Sequence, residues 1–188
     1  MITIDGNSLT IQEVVQCAKY YEEVSLAPSA RQKMLESKEW INQIVEKNNP
    51  VYGINTGFGV FSKASISIEE IEVLNRNLIL SHAVSTGDPL PDEVVRAAML
   101  IRANTLAKGH SGASTDIVDT LIDMLNKDVV PVIPEQGSLG SSGDLSPLAH
   151  LSLVLTCGDD EDEATSGLAK FKSEMFSGSV AMRKAGIK

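Results

Sequence analysis

The run Ser141-Ser142-Gly143-Asp144 combines the residue types that a backbone self-cyclisation needs. A five-membered ring closes when the nitrogen of one residue reaches the carbonyl carbon two residues earlier. The attacking residue must lack a Cβ, and Gly143 does. The residue between must lose water to become an unsaturated carbon, as Ser142 can, and the first residue must be small, as Ser141 is. The product is strained and electron-poor. A helix N-terminus behind it adds a positive field, and Asp144 stands where it can accept a proton. The same residues also fit a plain turn feeding a helix, and spacing alone favours the turn.

Commoner readings of this glycine-rich segment fail. No Lys-Ser/Thr pair follows at P-loop spacing. The glycines at 137, 140 and 143 are spaced G-x-x-G-x-x-G, without the strand alternation of a dinucleotide site. Ser142 is not a nucleophile elbow, because Asp144 rather than glycine stands two residues on. His82, His110 and His150 fit no metal spacing, and Cys17 and Cys157 form neither a disulfide framework nor a metal pattern.

The elements that must position these residues are mostly helical. Met1–Ile4 reads as a short strand and Asp5-Gly6 as a turn. Thr10 and Glu13 form a capping box for a helix over 11–21 with a stripe of Ile11, Val14, Val15 and Ala18. Pro28 opens a second helix to about Lys47, with Leu35, Ile41, Ile44 and Val45 as its apolar positions. Residues 48–66 are rich in glycine and cannot be helical throughout. Ser67 and Glu70 cap a helix carrying Ile71, Leu74 and Leu78. A fourth helix follows Pro91 with Val94, Val95, Ala98, Met99, Ile101 and Leu106. A fifth, capped near Ser114, carries Ile117, Val118, Leu121, Ile122 and Leu125. Asp144 reads as the N-cap of a helix from Leu145 that is apolar nearly all round, the pattern of a buried helix. An acidic loop over 159–166 leads into an incomplete C-terminal segment, 167–188, with a small hairpin near 169–176 and a helix opening at Ser179.

Composition bounds the partners. Lys plus Arg is 16 and Asp plus Glu 25, a net charge of −9, in 188 residues of which 43% are hydrophobic. That suits one domain over 1–188 with a sizeable core. The acidic balance argues against nucleic acid, and no polybasic patch favours a membrane surface. The N-terminal MITIDGNSLT lacks a signal-peptide pattern, and no apolar run approaches the ~20 residues of a membrane span. With so few cysteines, a cytoplasmic protein is expected.

Two long blocks, GSLGSSGDLSPLAHLS at 137–152 and VYGINTGFG at 51–59, resemble the aromatic amino acid ammonia-lyases, and most of all their histidine-selective members. RNLILSHAVSTGDPL at 76–90, RANTLAKGHSG at 102–112 and SGSVAMRKAGI at 177–187 keep the family's order, so the resemblance spans the chain. It implies a mainly α fold, the helical N-terminal domain of a lyase built around a methylidene-imidazolone (MIO) electrophile. Ser141, Ser142 and Gly143 would be the cyclising triplet, Asp144 would assist ring formation, and Tyr52 would be the base that takes the substrate's β-proton. Ser81 and His82 match the place where histidine-selective members contact substrate, with Asn55 and Asn104 further lining candidates. The family usually has alanine where Ser141 stands; serine is also small and its carbonyl is equally available.

The resemblance further implies non-oxidative removal of ammonia from L-histidine to give urocanate, with no external cofactor or metal, in a homotetramer. Family members are considerably longer and complete their sites with later residues and neighbouring subunits, so this chain is expected to be an N-terminal portion, inactive alone. Two other readings stand beside this one. One is a relative acting on phenylalanine or tyrosine, or an aminomutase. The other is a non-catalytic helical module that associates through an exposed apolar face of the helix from Leu145 to Leu155.

Overall fold

A short strand, β1 (Ile2–Ile4), pairs in parallel with β2 (Val24–Leu26), and α1 (Ile11–Tyr20) crosses between them. The computed structural model of the chain describes residues 1–47, 51, 54, 56, 68–157 and 163–187. The capping box forms as its residue types dictate: Glu13 N–H donates to Thr10 Oγ1 at 3.3 Å, and Thr10 N–H donates to Glu13 Oε2 at 2.8 Å. The buried face of α1 departs from the predicted stripe. Ile11 is 86% exposed, whereas Cys17 and Ala18 are buried. The seam is made by the last two turns, where small side chains meet the next helical layer, and the first turn overhangs it.

That layer consists of α4 (Asp92–Leu106), which packs on α1 and on α5 (Thr115–Asn126). Ser114 caps α5 by accepting from Asp116 N–H at 3.3 Å. Val118, Leu121, Met124 and Leu125 of α5 and Val95, Met99, Leu100 and Ala103 of α4 form the centre of the core. Val94 and Ile101, expected inside, are exposed, because α4 is clasped between α1 and α5 and turns only one face to them. The second helix, α2 (Pro28–Glu46), starts with proline at its first turn and buries Ala30 and Met34, while Leu35 is exposed. A two-pronged ion pair holds it on α5, with Arg31 Nη1 donating to Asp119 Oδ2 at 2.8 Å and Nη2 to Oδ1 at 2.5 Å.

The other side of the molecule carries α3 (Ile68–His82) packed on α6 (Leu145–Leu155). Two antiparallel sheets frame this pair. β3 (Thr86–Pro89) pairs with β5 (Pro134–Gln136), and β4 (Val129–Pro131), β6 (Leu168–Phe171) and β7 (Glu174–Ser177) form a three-stranded sheet in that order. β6 and β7 are the expected hairpin. Their pairing with the buried β4, from which they are far apart in sequence, is the part that local pattern did not reveal. The helix α6 buries Ala149, Leu151, Leu153 and Val154, so it offers no broad apolar face for association.

The final helix, α7 (Gly178–Lys184), is complete rather than opening. Gly186 takes φ +64°, and Ile187 N–H reaches back to Met182 O at 3.0 Å, the closure that a left-handed residue allows just past a helix end. Ile187 is buried beneath it. Asn104 proves to be structural: its Oδ1 accepts from Gly6 N–H at 2.9 Å, at a turn where any Cβ would lie 2.7 Å from Lys108 N. The Ser67–Glu70 cap and most of the acidic run lie outside the described residues or side chains, and Glu163–Thr165 form a 3-10 turn.

Candidate active site

Two stretches of backbone carry those predicted site residues that are among the described ones. The first is the last turn of α3. Ser81 Oγ donates to Leu78 O at 2.8 Å, and His82 Nδ1 lies 2.7 Å from the same carbonyl. A carbonyl only accepts, so Nδ1 carries the proton, and Nε2 is the ring atom left for a ligand.

The second stretch runs from β5 into α6. Gly140–Ser142 form a 3-10 turn, then Gly143 (φ +81°) and Asp144 (φ +60°) both adopt the left-handed conformation before the helix begins. Gly143 can hold that conformation cheaply; Asp144 cannot hold it as easily and does so beside a fixed partner. Its Oδ1 accepts from Ser138 Oγ. The expectation that Asp144 caps α6 is corrected here. It occupies the N-cap position but its side chain makes no capping bond. N-cap side chains reach the helix's first N–H groups from an extended backbone, and the left-handed turn at Asp144 directs the carboxylate to Ser138 instead.

Ser146 and His150 join the two stretches. They lie four residues apart on one face of α6 and receive the turn that follows His82. Ser85 N–H donates to His150 Nε2 at 3.1 Å, Val84 N–H to Ser146 Oγ at 3.4 Å, and the Ser85 and Ser146 hydroxyls lie 2.7 Å apart. Gly137 presses on the same point, since a Cβ there would sit 1.9 Å from Ser85 Oγ. His150 also lines an apolar groove of about 340 Å³ with Leu80, Ala83, Val132, Pro134 and Leu168. Burial among them pushes its imidazole below the ordinary value of 6.5, which keeps Nε2 an acceptor at neutral pH.

The structure therefore ties Ser81-His82 to the segment carrying Ser141, Ser142, Gly143 and Asp144. Tyr52 and Asn55 lie outside the described residues. Ser85, Ser146 and Gly137 were not singled out from sequence. The available signal was the pair Ser146 and His150, two polar residues at helical spacing in an otherwise apolar helix. Among the described residues, no group of His, Cys, Asp or Glu is placed to hold a metal ion, and no helix is long and apolar enough to cross a membrane.

The sequence pattern described as aromatic amino acid lyase matches residues 9–188. The chain belongs to the aromatic amino acid lyase family. A histidine ammonia-lyase of Caldanaerobacter subterraneus subsp. tengcongensis is 52% identical over 186 residues, covering 99% of this chain and 35% of the relative. The chain thus spans about a third of the length of such curated relatives. Among solved lyase-like structures, the ergothioneine-degrading ergothionase of Treponema denticola, in complex with desmethyl-ergothioneine sulfonic acid, superposes with a TM-score of 0.90 at 28% identity. It covers 100% of this chain and 36% of that one. Histidine ammonia-lyase from Trypanosoma cruzi superposes with a TM-score of 0.85 at 32% identity, over 100% of this chain and 34% of the other. In this lyase family member, the N-terminal third thus brings the tight turn before α6 and the end of α3 to one place.

Proposed function

We propose that this chain is the electrophile-bearing part of a cytoplasmic, homotetrameric histidine ammonia-lyase that converts L-histidine to urocanate and ammonia. The observation that carries the reading is the turn Ser141–Gly143 at the start of α6, the helix whose Ser146 and His150 bind Ser85, just past Ser81 and His82. The 52% identity to a histidine ammonia-lyase supports histidine as the substrate class.

The residues present fit the MIO group. Gly143 is at positive φ, and an atom in the place of its absent Cβ would meet nothing within 4 Å, so the turn is both tight and open. To make the ring, Gly143 N bonds to the Ser141 carbonyl carbon and the carbonyl oxygen leaves as water. Ser142 then loses its Cα hydrogen and its hydroxyl as a second water. Asp144, held by Ser138, accepts a proton in this sequence. Once formed, the group offers an electron-poor carbon that engages the substrate amine and makes it a good leaving group.

The chain's other residues bind and move protons. His82, with Nδ1 fixed by Leu78 O, presents Nε2 to the substrate imidazole, beside Ser81. Asn55 is a further candidate for contact with the substrate. Tyr52 takes the β-proton, and the Cα–N bond breaks to give a trans double bond. A tyrosine has an ordinary pKa of ~10, so this role needs nearby positive charge to lower it. The polar pair Ser81-His82 weighs against phenylalanine as substrate, for which apolar neighbours would serve better.

Peptide mapping across residues 137–152 in the assembled lyase tests the reading. Loss of two waters is the expected result, and Ser142→Ala should abolish both that loss and urocanate formation. An unmodified segment in an active enzyme refutes it. The 188-residue chain alone is expected to give no urocanate, because its relatives are about three times longer.

A further inference from the structure

We propose that His150 is a positioning residue, the latch that sets the substrate-side end of α3 in register with the electrophile-side end of α6. This inference rests on the lyase reading, because it assigns His82 and Ser141–Gly143 to the two sides of one reaction.

The latch consists of few bonds, and the two made by main-chain N–H groups have a defined polarity. After His82 the chain leaves α3: Val84 N–H turns back to His82 O at 2.9 Å and shares its proton with Ser146 Oγ at 3.4 Å, whereas Ser85 N–H is carried across to α6. Ser146 Oγ and His150 Nε2, one turn apart on α6, accept these two consecutive donors. Ser85 Oγ adds a third bond to Ser146. His82 lies three residues before Ser85, and Asp144 lies two residues before Ser146. The latch therefore sits within one helical turn of both groups it relates. Gly137 closes the back of this junction against Ser85 Oγ. Because a backbone N–H only donates, Nε2 must be unprotonated and the ring must be the Nδ1–H tautomer. The other residues lining the groove around the ring carry no ionisable group, and their apolar character keeps the ring neutral.

A latch of this kind acts on geometry rather than on the reacting atoms. A displacement of about 1 Å between a substrate contact and the reacting carbon costs on the order of a hundredfold in rate. Relaxation of the Ser85 bond should therefore appear first in how well histidine is held.

The test has three readouts. In the 188-residue chain, the His150 ring nitrogens, observed by nitrogen NMR, should show the Nδ1–H tautomer; the Nε2–H tautomer overturns the proposal, whatever any variant does. Amide hydrogen exchange at Ser85 should quicken about tenfold or more in His150→Phe, which keeps a ring but removes the acceptor. It should return close to wild type in His150→Gln, whose amide oxygen can accept, while Met124 in the α5 core stays protected in both. Equal Ser85 exchange in His150→Phe and wild type overturns the latch.

In the assembled lyase, His150→Phe should raise KM for histidine more than it lowers kcat, by about tenfold in kcat/KM, and His150→Gln should recover most of the loss. An unchanged kcat/KM in His150→Phe, or a His150→Gln variant as impaired as His150→Phe, removes the positioning role. A wild-type lyase that shows the tautomer and the protected amide but makes no urocanate refutes the function itself, and that failure is distinct from failure of the latch.

Discussion

The junction around Arg96 and the turn before α6 are both built from helix ends, and they solve the same problem in opposite ways. Arg96 is 1% exposed in the middle of α4. Its Nη1 donates to Leu125 O at 3.1 Å and its Nη2 to Cys17 O at 3.0 Å, so one guanidinium satisfies carbonyls in the last turns of both α5 and α1. Its Cζ lies over the Tyr21 ring, 4.1 Å from the ring centre. Both helices end on a left-handed residue, Tyr21 and Asp128, each folded against this cation. At the start of α6, by contrast, Gly143 and Asp144 are also left-handed, but Leu139 is 67% and Leu145 49% exposed. The first junction is closed upon itself. The second is tied down from its sides, by Ser138 on the Asp144 carboxylate and by Ser146 and His150 on the neighbouring Val84-Ser85 turn, while its outer face stays open.

Asp128 shows which force holds the closed junction. It lies 3.7 Å from Arg96 Nη1, yet burial outweighs the nearby charge and leaves its carboxyl above the usual range. The two carbonyl bonds, at 3.1 and 3.0 Å, are also the shorter contacts of the guanidinium. Arg96→Leu should destabilise the chain by about 3–5 kcal/mol, because it leaves two buried carbonyls unpaired. Urea unfolding would measure this, and a change below about 1 kcal/mol would erase the contrast between the junctions.

Within the open junction, the glycines should differ among themselves. Gly137→Ala drives a Cβ into Ser85 Oγ and should cost about 1–3 kcal/mol, whereas Gly140→Ala meets nothing within 4 Å and should stay within about 0.5 kcal/mol. If the clash is the cause, Ser85→Gly should restore most of the loss in the double variant, a coupling that a thermodynamic cycle reads directly. Equal effects at Gly137 and Gly140 would mean that the junction is not clamped at Ser85.

Much of this contrast was hidden in the sequence for physical reasons. The Thr10–Glu13 cap, the Ser114 cap and the hairpin of β6 and β7 depend on neighbours a few residues away, and local pattern revealed them. Arg96 reads as a surface charge on an amphipathic helix, because its partners are main-chain carbonyls 29 and 79 residues distant. A carbonyl leaves no mark in residue type. The β4 partnership is lost for a similar reason, since three buried residues give no period to measure. At the candidate site, Ser141–Gly143 could be picked out because the proposed cyclisation demands those side chains, or their absence. Asp144 was misplaced as a cap because residue preference fixes a position but not the φ that aims the side chain. Ser146 and His150 were visible as letters but not as a pair, since what joins them is the main chain of another helix.

Acid should open the site end before the Arg96 end. The folded state lowers the pKa of His150, so the unfolded chain, near the ordinary value of 6.5, takes up the proton first. The contribution of His150 to stability is then fully present above that value and is lost as pH falls through it toward the lower folded pKa. The Arg96 junction rests on bonds to main-chain carbonyls, which do not titrate. Amide exchange at Ser85 should accordingly quicken with falling pH, after correction for intrinsic rates, while α4 and α5 amides hold. His150→Gln should remove that pH dependence.

The smallest effect falls on the exposed leucines beside the turn. Leu139 and Leu145 stand largely in solvent, so burial of their side chains contributes little to the folding of this chain. Leu139→Ser should change its stability by no more than about 0.5 kcal/mol. In the assembled lyase the same substitution should be felt far more, because there the remaining two-thirds of the polypeptide would cover this face and remove the leucine from water. Comparing thermal unfolding of the chain with that of the assembly separates the two cases. A loss confined to the assembly identifies Leu139 as part of the covered face. An equal loss in both would mean that the turn supports the fold of the chain itself, and the distinction between a closed and an open junction would have to be given up.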